Sequence, residues 1–308
     1  MPQGFIVKAL SGYYYVLPEG ANIREIDTIT CRARGVFKKK NISPLVGDQV
    51  MYELTENGEG TVTEILPRTS ELIRPPISNV NLVVLVFAVT EPVLNLQLLD
   101  KFLVHIESTG LDVLLCFTKH DLLAENEEAG SGQLTVAEFD QIRKLYEEIG
   151  YAIVTTSSKM HNGIGAVQDA LKDRLSVFAG QSGVGKSSLL NEMIRGIDLE
   201  TNAISQRLGR GKHTTRHVEL LPLESGGYVA DTPGFSQLDF MELEAEQLGS
   251  CFKEFVPLAE ECRFRGCLHQ HEPNCKVREA VEEGRVAASR YDHYLLFLTE
   301  MKERKRRY

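Results

Sequence analysis

The sequence predicts a multidomain chain. It has an N-terminal β-barrel of the OB-fold type over residues 1–70, a central α/β domain over 71–237, and a mostly helical region around a Cys/His cluster over 238–308. Three observations carry this. Short β-branched runs separated by turn residues fill the first seventy positions. Buried-strand runs then alternate with helically spaced apolar residues, and among them residues 180–187 read Gly-Gln-Ser-Gly-Val-Gly-Lys-Ser. Beyond these, three cysteines and a histidine crowd between 262 and 275.

In the first region the strand-like runs are 4–10, 13–17, 29–33, 49–54 and 60–65. They are bounded by the turn signals Ser11-Gly12, Pro18-Glu19-Gly20, Gly47-Asp48 and Asn57-Gly58. About five short strands in about seventy residues suit a small closed barrel. Arg32, Arg34, Lys38, Lys39 and Lys40 lie in one stretch without an acidic residue. That pattern fits either a solvated face or a contact to RNA phosphates. Residues 67–76, bracketed by prolines, read as a linker.

The second region opens with 82–89, a continuous apolar run of the kind a strand buried on both faces requires. Leu98, Leu99, Phe102, Leu103 and Ile106 follow helical spacing, and 111–117 is a second buried strand. Residues 124–135, rich in Glu, Gly and Ser, read as a loop. Phe139, Ile142, Leu145, Tyr146 and Ile149 mark another helix, and strands are expected at 151–154, 175–179, 217–221 and 227–230. Such alternation predicts a doubly wound sheet.

Residues 180–187 complete GxxxxGK[ST] between the strand 175–179 and helical spacing through Leu189, Leu190 and Ile194. Gly180, Gln181, Ser182, Gly183, Val184 and Gly185 let backbone N–H groups curl around a phosphate. Lys186 adds positive charge at the β and γ phosphates. Ser187 offers magnesium a hydroxyl, and Ser188 continues into a helix whose N-terminus favours anions.

Thr118-Lys119-His120-Asp121 ends the strand 111–117, where open α/β sheets place ligands. Asp121 can accept the ring N–H and exocyclic amine of guanine, a donor pair that adenine lacks, while the stem of Lys119 lies along the base. Thr118 stands where Asn is commoner. Thr156-Ser157-Ser158-Lys159 follows the next strand and fits a loop backing guanine. Asp231-Thr232-Pro233-Gly234 has the DxxG spacing, with Asp231 reaching magnesium and the Gly234 amide sensing the γ phosphate. Between it and the phosphate loop, Gly209–Thr215 sits where a switch loop supplies a threonine to magnesium, Thr215 in preference to Thr214.

Their order is unusual. GTPases ordinarily run from phosphate loop through switch threonine and DxxG to the guanine motifs, whereas here the guanine motifs come first. A parallel sheet tolerates such a circular permutation when the old termini lie close together.

With Cys31-Arg32-Ala33-Arg34-Gly35, Val46-Gly47-Asp48 and Cys262-x4-Cys267-x-His269-x5-Cys275, this arrangement resembles the RsgA family over essentially the whole chain. That family comprises circularly permuted GTPases that help mature the bacterial small ribosomal subunit. The resemblance implies slow intrinsic hydrolysis of GTP to GDP and phosphate, stimulated by the small subunit and coupled to release of this or another factor. It also implies that the barrel and the Cys/His region grip ribosomal RNA. Three thiolates and one imidazole make a closed structural zinc site. The family's spacing selects His269 over its neighbour His271. Phe235 occupies the position where many GTPases carry a water-orienting Gln. That leaves His213 to orient water, to contact RNA, or to be a loop histidine without a catalytic role.

Composition bounds the rest. The net charge of -9 argues against a general nucleic-acid binder, though not against local basic patches such as Arg207–Arg216 and the tail 302–307. There is no run of about 18 apolar residues and no basic-then-apolar leader, so neither a membrane partner nor a signal peptide is expected, and the site of action is cytoplasmic. In that reducing setting clustered cysteines read as metal ligands, while Cys31, Cys116 and Cys251 read as small buried apolar groups. A monomer is expected. Two rival readings stay open: a nucleotide-gated RNA clamp whose hydrolysis is incidental, and an ATPase for which Asp121 is irrelevant.

Overall fold

The structure, a computed structural model, describes residues 1–21, 28–39, 42–73, 75–123, 134–194, 218–231 and 243–305. Five strands form the N-terminal barrel: β1 (Gln3–Leu10), β2 (Tyr13–Pro18), β3 (Ile29–Ala33), β4 (Gln49–Leu54) and β5 (Gly60–Ile65). β1 runs antiparallel to both β2 and β4, β3 pairs β2 antiparallel and β5 parallel, and β4–β5 closes the ring. Ile6, Val16, Cys31, Val50 and Val62 fill its interior without solvent exposure. A short helix, α1 (Gly35–Lys39), follows β3.

The linker expected at 67–76 is instead tied down. Asp48 is fully buried and its two carboxylate oxygens each accept from Arg68 at 2.8 Å. The same carboxylate accepts the Ser78 hydroxyl at 2.6 Å and the Leu45 amide at 2.7 Å. Within the segment, β6 (Glu71–Leu72) pairs with β7 (Ile77–Ser78), which follows it directly. Gly47 has φ 92, and a Cβ there would sit 2.1 Å from the Ser78 carbonyl oxygen, so the close approach and the left-handed backbone both require glycine. The segment's prolines suggested a spacer; an ion pair on a buried carboxylate, between residues twenty apart, makes it a joint.

The central strands are β8 (Leu82–Ala88), β9 (Asp112–Thr118), β10 (Ala152–Thr155), β11 (Leu175–Ala179), β12 (Glu219–Pro222) and β13 (Tyr228–Asp231). β10, β9, β8, β11 and β13 lie in parallel, and β12 pairs β13 antiparallel. β12 also pairs β1 at Glu219 and Lys8, whose side chains meet at 2.8 Å. Barrel and central sheet are therefore hydrogen-bonded into one eleven-stranded sheet. Every residue of β8 is buried because helices cover both its faces. Val83, Leu85 and Phe87 face the core shared with α2 (Leu96–Glu107) and α3 (Val136–Ile149). Leu82, Val84 and Val86 face α4 (Ile164–Leu171) and α5 (Lys186–Met193), the alternation a strand imposes.

Local signals set the helix starts. Asn95 caps α2 by accepting from the Leu98 amide at 2.9 Å. Thr135 and Glu138 form a reciprocal capping box that begins α3, while most of the loop expected at 124–135 lies outside the described residues. α4, absent from the sequence reading, is eight residues long and buries Val167 and Leu171. Among its described residues the C-terminal region has a 3-10 turn, Ala245–Cys251, followed by helices Val256–Ala259, Lys276–Glu282 and Ala288–Lys305. Its own core of Leu248, Phe252, Phe255, Val277, Phe297 and Leu298 extends onto Val104 of α2. Among the described residues no helix is long and apolar enough to cross a membrane.

Candidate functional site

The loop from Gly180 to Gly185 joins β11 to α5 at the carboxyl end of the parallel strands. Gly180, at φ 137, passes so close to β8 that a Cβ would lie 2.1 Å from the Val86 carbonyl oxygen. Val184 is buried beneath the loop, Gln181 is half-buried, and Ser182 and Gly183 are exposed at its crest. Lys186 folds its ammonium back under the loop, donating to the carbonyls of Gly180 at 2.8 Å and Gln181 at 2.5 Å. Burial pushes its pKa down to about 8. Ser187 and Ser188 are half-buried in the first turn of α5. A glycine-rich loop with a lysine at a helix start can take an anionic phosphate chain.

Thr118 is the hinge between this loop and the predicted base-reading turn. Its hydroxyl, nearly buried, donates to the Val184 carbonyl at 2.5 Å. Lys119 then adopts φ 58, starting the 3-10 turn His120–Leu122, and its ammonium donates to the Glu91 carbonyl, a partner the sequence did not flag. The Ser157 hydroxyl donates to Asp121 Oδ1 at 2.6 Å, and the His120 amide donates to the Thr156 carbonyl at 3.2 Å. Ser157 is also held by paired backbone bonds with Asn162 at 3.1 Å each. Ser158 is half-buried and Lys159 exposed. Three segments far apart in sequence thus meet at one end of the sheet: 118–121, 156–159 and 180–188. Asp231 is the last residue of β13, beside β11 and the phosphate loop. Its side chain lies outside the described residues, as do His213, Thr215 and Gly234.

In the C-terminal region one ligand atom each from Cys262, Cys267, His269 and Cys275 lies within 4.8 Å of all the others, a cluster that could hold a metal ion. His269 Nδ1 is 3.7 Å from the Cys262 sulfur and 3.4 Å from that of Cys275. His269 is buried, whereas His271 is exposed and outside the cluster. The loop is wound around Glu272, which the sequence reading passed over. Its carboxylate accepts the amides of Leu268, Gln270 and His271 at 3.0, 2.9 and 3.1 Å. Burial pushes its pKa up, but these amides and its own outweigh that and hold it at about 2. Tyr291 and Tyr294 donate to the carbonyls of His269 and Leu268, each at 2.7 Å.

On the barrel, Arg32 is exposed and its guanidinium lies 4.7 Å from the centre of the Tyr13 ring. Arg34 is paired with Glu53 at 2.7 Å, so less of its charge is free for another partner. Lys38 and Lys39 lie in α1 but their side chains, like all of Lys40, are outside the described residues. Cys31, Cys116 and Cys251 are buried among apolar neighbours.

Comparison with known proteins finds relatives along the whole chain. Residues 65–241 match the family described as RsgA GTPase, and residues 3–62 match the RsgA N-terminal domain. Curated relatives called small ribosomal subunit biogenesis GTPase RsgA align end to end. That of Bacillus velezensis is 51% identical, and that of Bacillus subtilis 49%, each over 308 residues and all of both chains. Among solved structures, YloQ, described as a circularly permuted GTPase, superposes with a TM-score of 0.81 at 43% identity, covering 99% of this chain and 96% of its own. YjeQ from Thermotoga maritima superposes with a TM-score of 0.84 at 36% identity, covering 97% and 98%.

Proposed function

The chain belongs to the RsgA GTPase family, and on that premise we propose that it hydrolyses GTP to GDP and phosphate during late maturation of the small ribosomal subunit. The Thr118–Val184 hydrogen bond is the observation that carries the reading, because it seats the Thr118–Asp121 turn on the phosphate loop. One guanine nucleotide can then span both, with its base on Asp121 and Lys119 and its phosphates on 180–188. Ser157, bonded to Asp121, fixes the direction in which that carboxylate points.

In this reading Lys186 moves its ammonium from the loop carbonyls to the β and γ phosphates. Ser187, Thr215 and Asp231 would hold magnesium, which would supply positive charge to the phosphates. Gly234 senses the γ phosphate, and His213 orients the attacking water or contacts RNA. Cys262, Cys267, His269 and Cys275 hold a structural zinc. A tetrahedral zinc with bonds of about 2.3 Å to sulfur and about 2.0 Å to nitrogen places its ligand atoms roughly 3.5–3.8 Å apart. The Cys262–Cys275 sulfur separation of 4.0 Å and the His269 distances are close to that. With four protein ligands there is no open position for catalysis. Arg32, Arg34, Lys38, Lys39 and Lys40 meet ribosomal RNA, with a salt-dependent affinity. The chain acts as a monomer in the cytoplasm, where ribosomes are assembled.

The test is GTP hydrolysis measured with purified small subunits, with large subunits and with neither. Acceleration by small subunits alone is expected; equal rates in all three overturn the reading. Competition by GTP and ATP on Asp121→Ala tests the base assignment, with loss of guanine preference expected.

A further inference from the structure

Helix Ala288–Lys305 touches two places at once. On one face Tyr291 and Tyr294 hold the backbone of the Cys/His loop. On the adjacent face lies Arg290, a guanidinium only 1% exposed. Its Nη1 donates to Asp100 Oδ1 of α2 at 2.5 Å. Nε and Nη2 donate to the two oxygens of Glu254 at 2.7 and 3.0 Å. Asp100, itself fully buried, also accepts the Tyr146 hydroxyl of α3 at 2.6 Å and faces His293 Nδ1 at 2.5 Å. The guanidinium plane is covered by Phe252, with its centre 4.6 Å from the ring centroid.

A cluster of this kind is a costly way to join two surfaces. Two buried charges lose their hydration, and apolar residues of the same volume often hold as well or better. What the cluster supplies is direction. Arg290 and His293 both reach Asp100 across the junction, Glu254 fixes the guanidinium from its own region, and Tyr146 ties the same carboxylate to α3, so the C-terminal region is held in one register on α2.

Those helices lead to the base-reading turn. Phe139, seven residues before Tyr146 on the same face of α3, packs edge-on against Phe117 at 5.2 Å and against His120 at 5.6 Å. Lys253 of the C-terminal region lies 4.3 Å over the ring of Tyr151, which precedes β10 and the Thr156–Lys159 loop. One segment at Asp121 therefore rests on α3, which Tyr146 ties to Asp100 and Arg290, and the other follows Tyr151, which Lys253 covers.

We propose that Arg290 is a positioning residue for the guanine subsite: through Asp100 and Tyr146 it sets α3 and the turn carrying Asp121, so docking of the C-terminal region contributes to base affinity. The proposal rests on the reading of Asp121 as the guanine acceptor. In the full chain, Tyr146→Phe removes one hydroxyl from the cluster, and Asp100→Leu with Arg290→Met replaces its central ion pair by apolar groups. Fluorescent GDP and IDP are titrated into each variant. IDP lacks the exocyclic amine, so a misplaced Asp121 weakens GDP more than IDP. The GDP-to-IDP affinity ratio is expected to fall by between about two- and thirtyfold, the range for residues coupled through packed networks. A merely structural loss lowers both affinities together, so an unchanged ratio overturns the proposal. Thermal unfolding shows whether the double variant folds; if it does not, Tyr146→Phe decides. Asp121→Ala is measured alongside. If its own ratio matches the parent chain, the guanine reading fails and this proposal with it; if its ratio falls while the other variants keep theirs, only the role of Arg290 fails.

Discussion

Ser157 Oγ donates a 2.6 Å hydrogen bond to Asp121 Oδ1 across 36 residues of sequence. It joins two loops that each follow a different parallel strand. Removing it frees the Asp121 side chain to rotate. Ser157→Ala is expected to weaken GDP binding by about tenfold, the equivalent of about 1.4 kcal/mol. ATP competition should be little changed. A fluorescent-nucleotide titration measures both; equal losses for GDP and ATP would place Ser157 outside base recognition.

Thr118 acts on the other end of the pocket. Thr118→Val keeps the shape but removes the hydroxyl that satisfies the Val184 carbonyl. Leaving a buried carbonyl without its partner costs about 1–3 kcal/mol. Because this bond joins loop and turn while Ser157 still aims Asp121, GDP and IDP should weaken together. Urea unfolding and nucleotide titration on one preparation check both, and a selective loss for GDP would contradict this account.

Lys186 makes binding pH-dependent. Without nucleotide, burial lowers its pKa from 10.5 to about 8, so the buried charge disfavours the folded chain below pH 8 and that penalty fades as pH rises from 8 toward 10.5. Phosphates favour the charged form, so nucleotide binding above pH 8 takes up a proton. GDP affinity is expected to fall between pH 8 and 10, with proton uptake visible by calorimetry in buffers of different ionisation enthalpy. Lys186→Met should bind weakly and without that proton uptake.

The two histidines of the Cys/His loop have opposite expected outcomes. His269→Ala removes a ligand atom and should lose the bound metal and, with it, the helical signal of the C-terminal region. His271→Ala, on an exposed side chain, should keep one metal per chain. Elemental analysis of the purified variants distinguishes them, and identifies the metal.

Asp48→Ala should destabilise the chain by about 3 kcal/mol, the low end for breaking a buried pair, since Arg68 retains some contact with water. The readout is the urea midpoint. A change below about 0.5 kcal/mol, the size of an ordinary surface substitution, would return residues 67–76 to the status of a linker.

Much of the fold was legible because its signals are local. The run 82–89 could only be a strand covered on both faces. The phosphate loop is contiguous, and its flanks confirm each other. Thr135 and Glu138 announce α3 three residues apart. α4 escaped because its buried residues, Val167 and Leu171, are too few within eight positions to show a period. The joint at 67–76 escaped because Pro67 and Pro76 speak for turns, while Asp48 and Arg68 carry no sign that they will be buried together.

From the sequence alone came the chemistry of each segment: a loop able to cradle phosphates, an Asp able to accept from guanine, four metal-ligating side chains, and a permuted order. These are properties of residue types at short spacing, and local backbone geometry enforces them. Only the tertiary structure decided which segments share a pocket, that β12 bonds the barrel strand β1, and that Arg290 of the last helix is locked to Asp100 of α2. Those contacts join residues up to 211 positions apart. Burial creates them and removes the water that would otherwise satisfy each charge, so they exist only once the whole chain has packed.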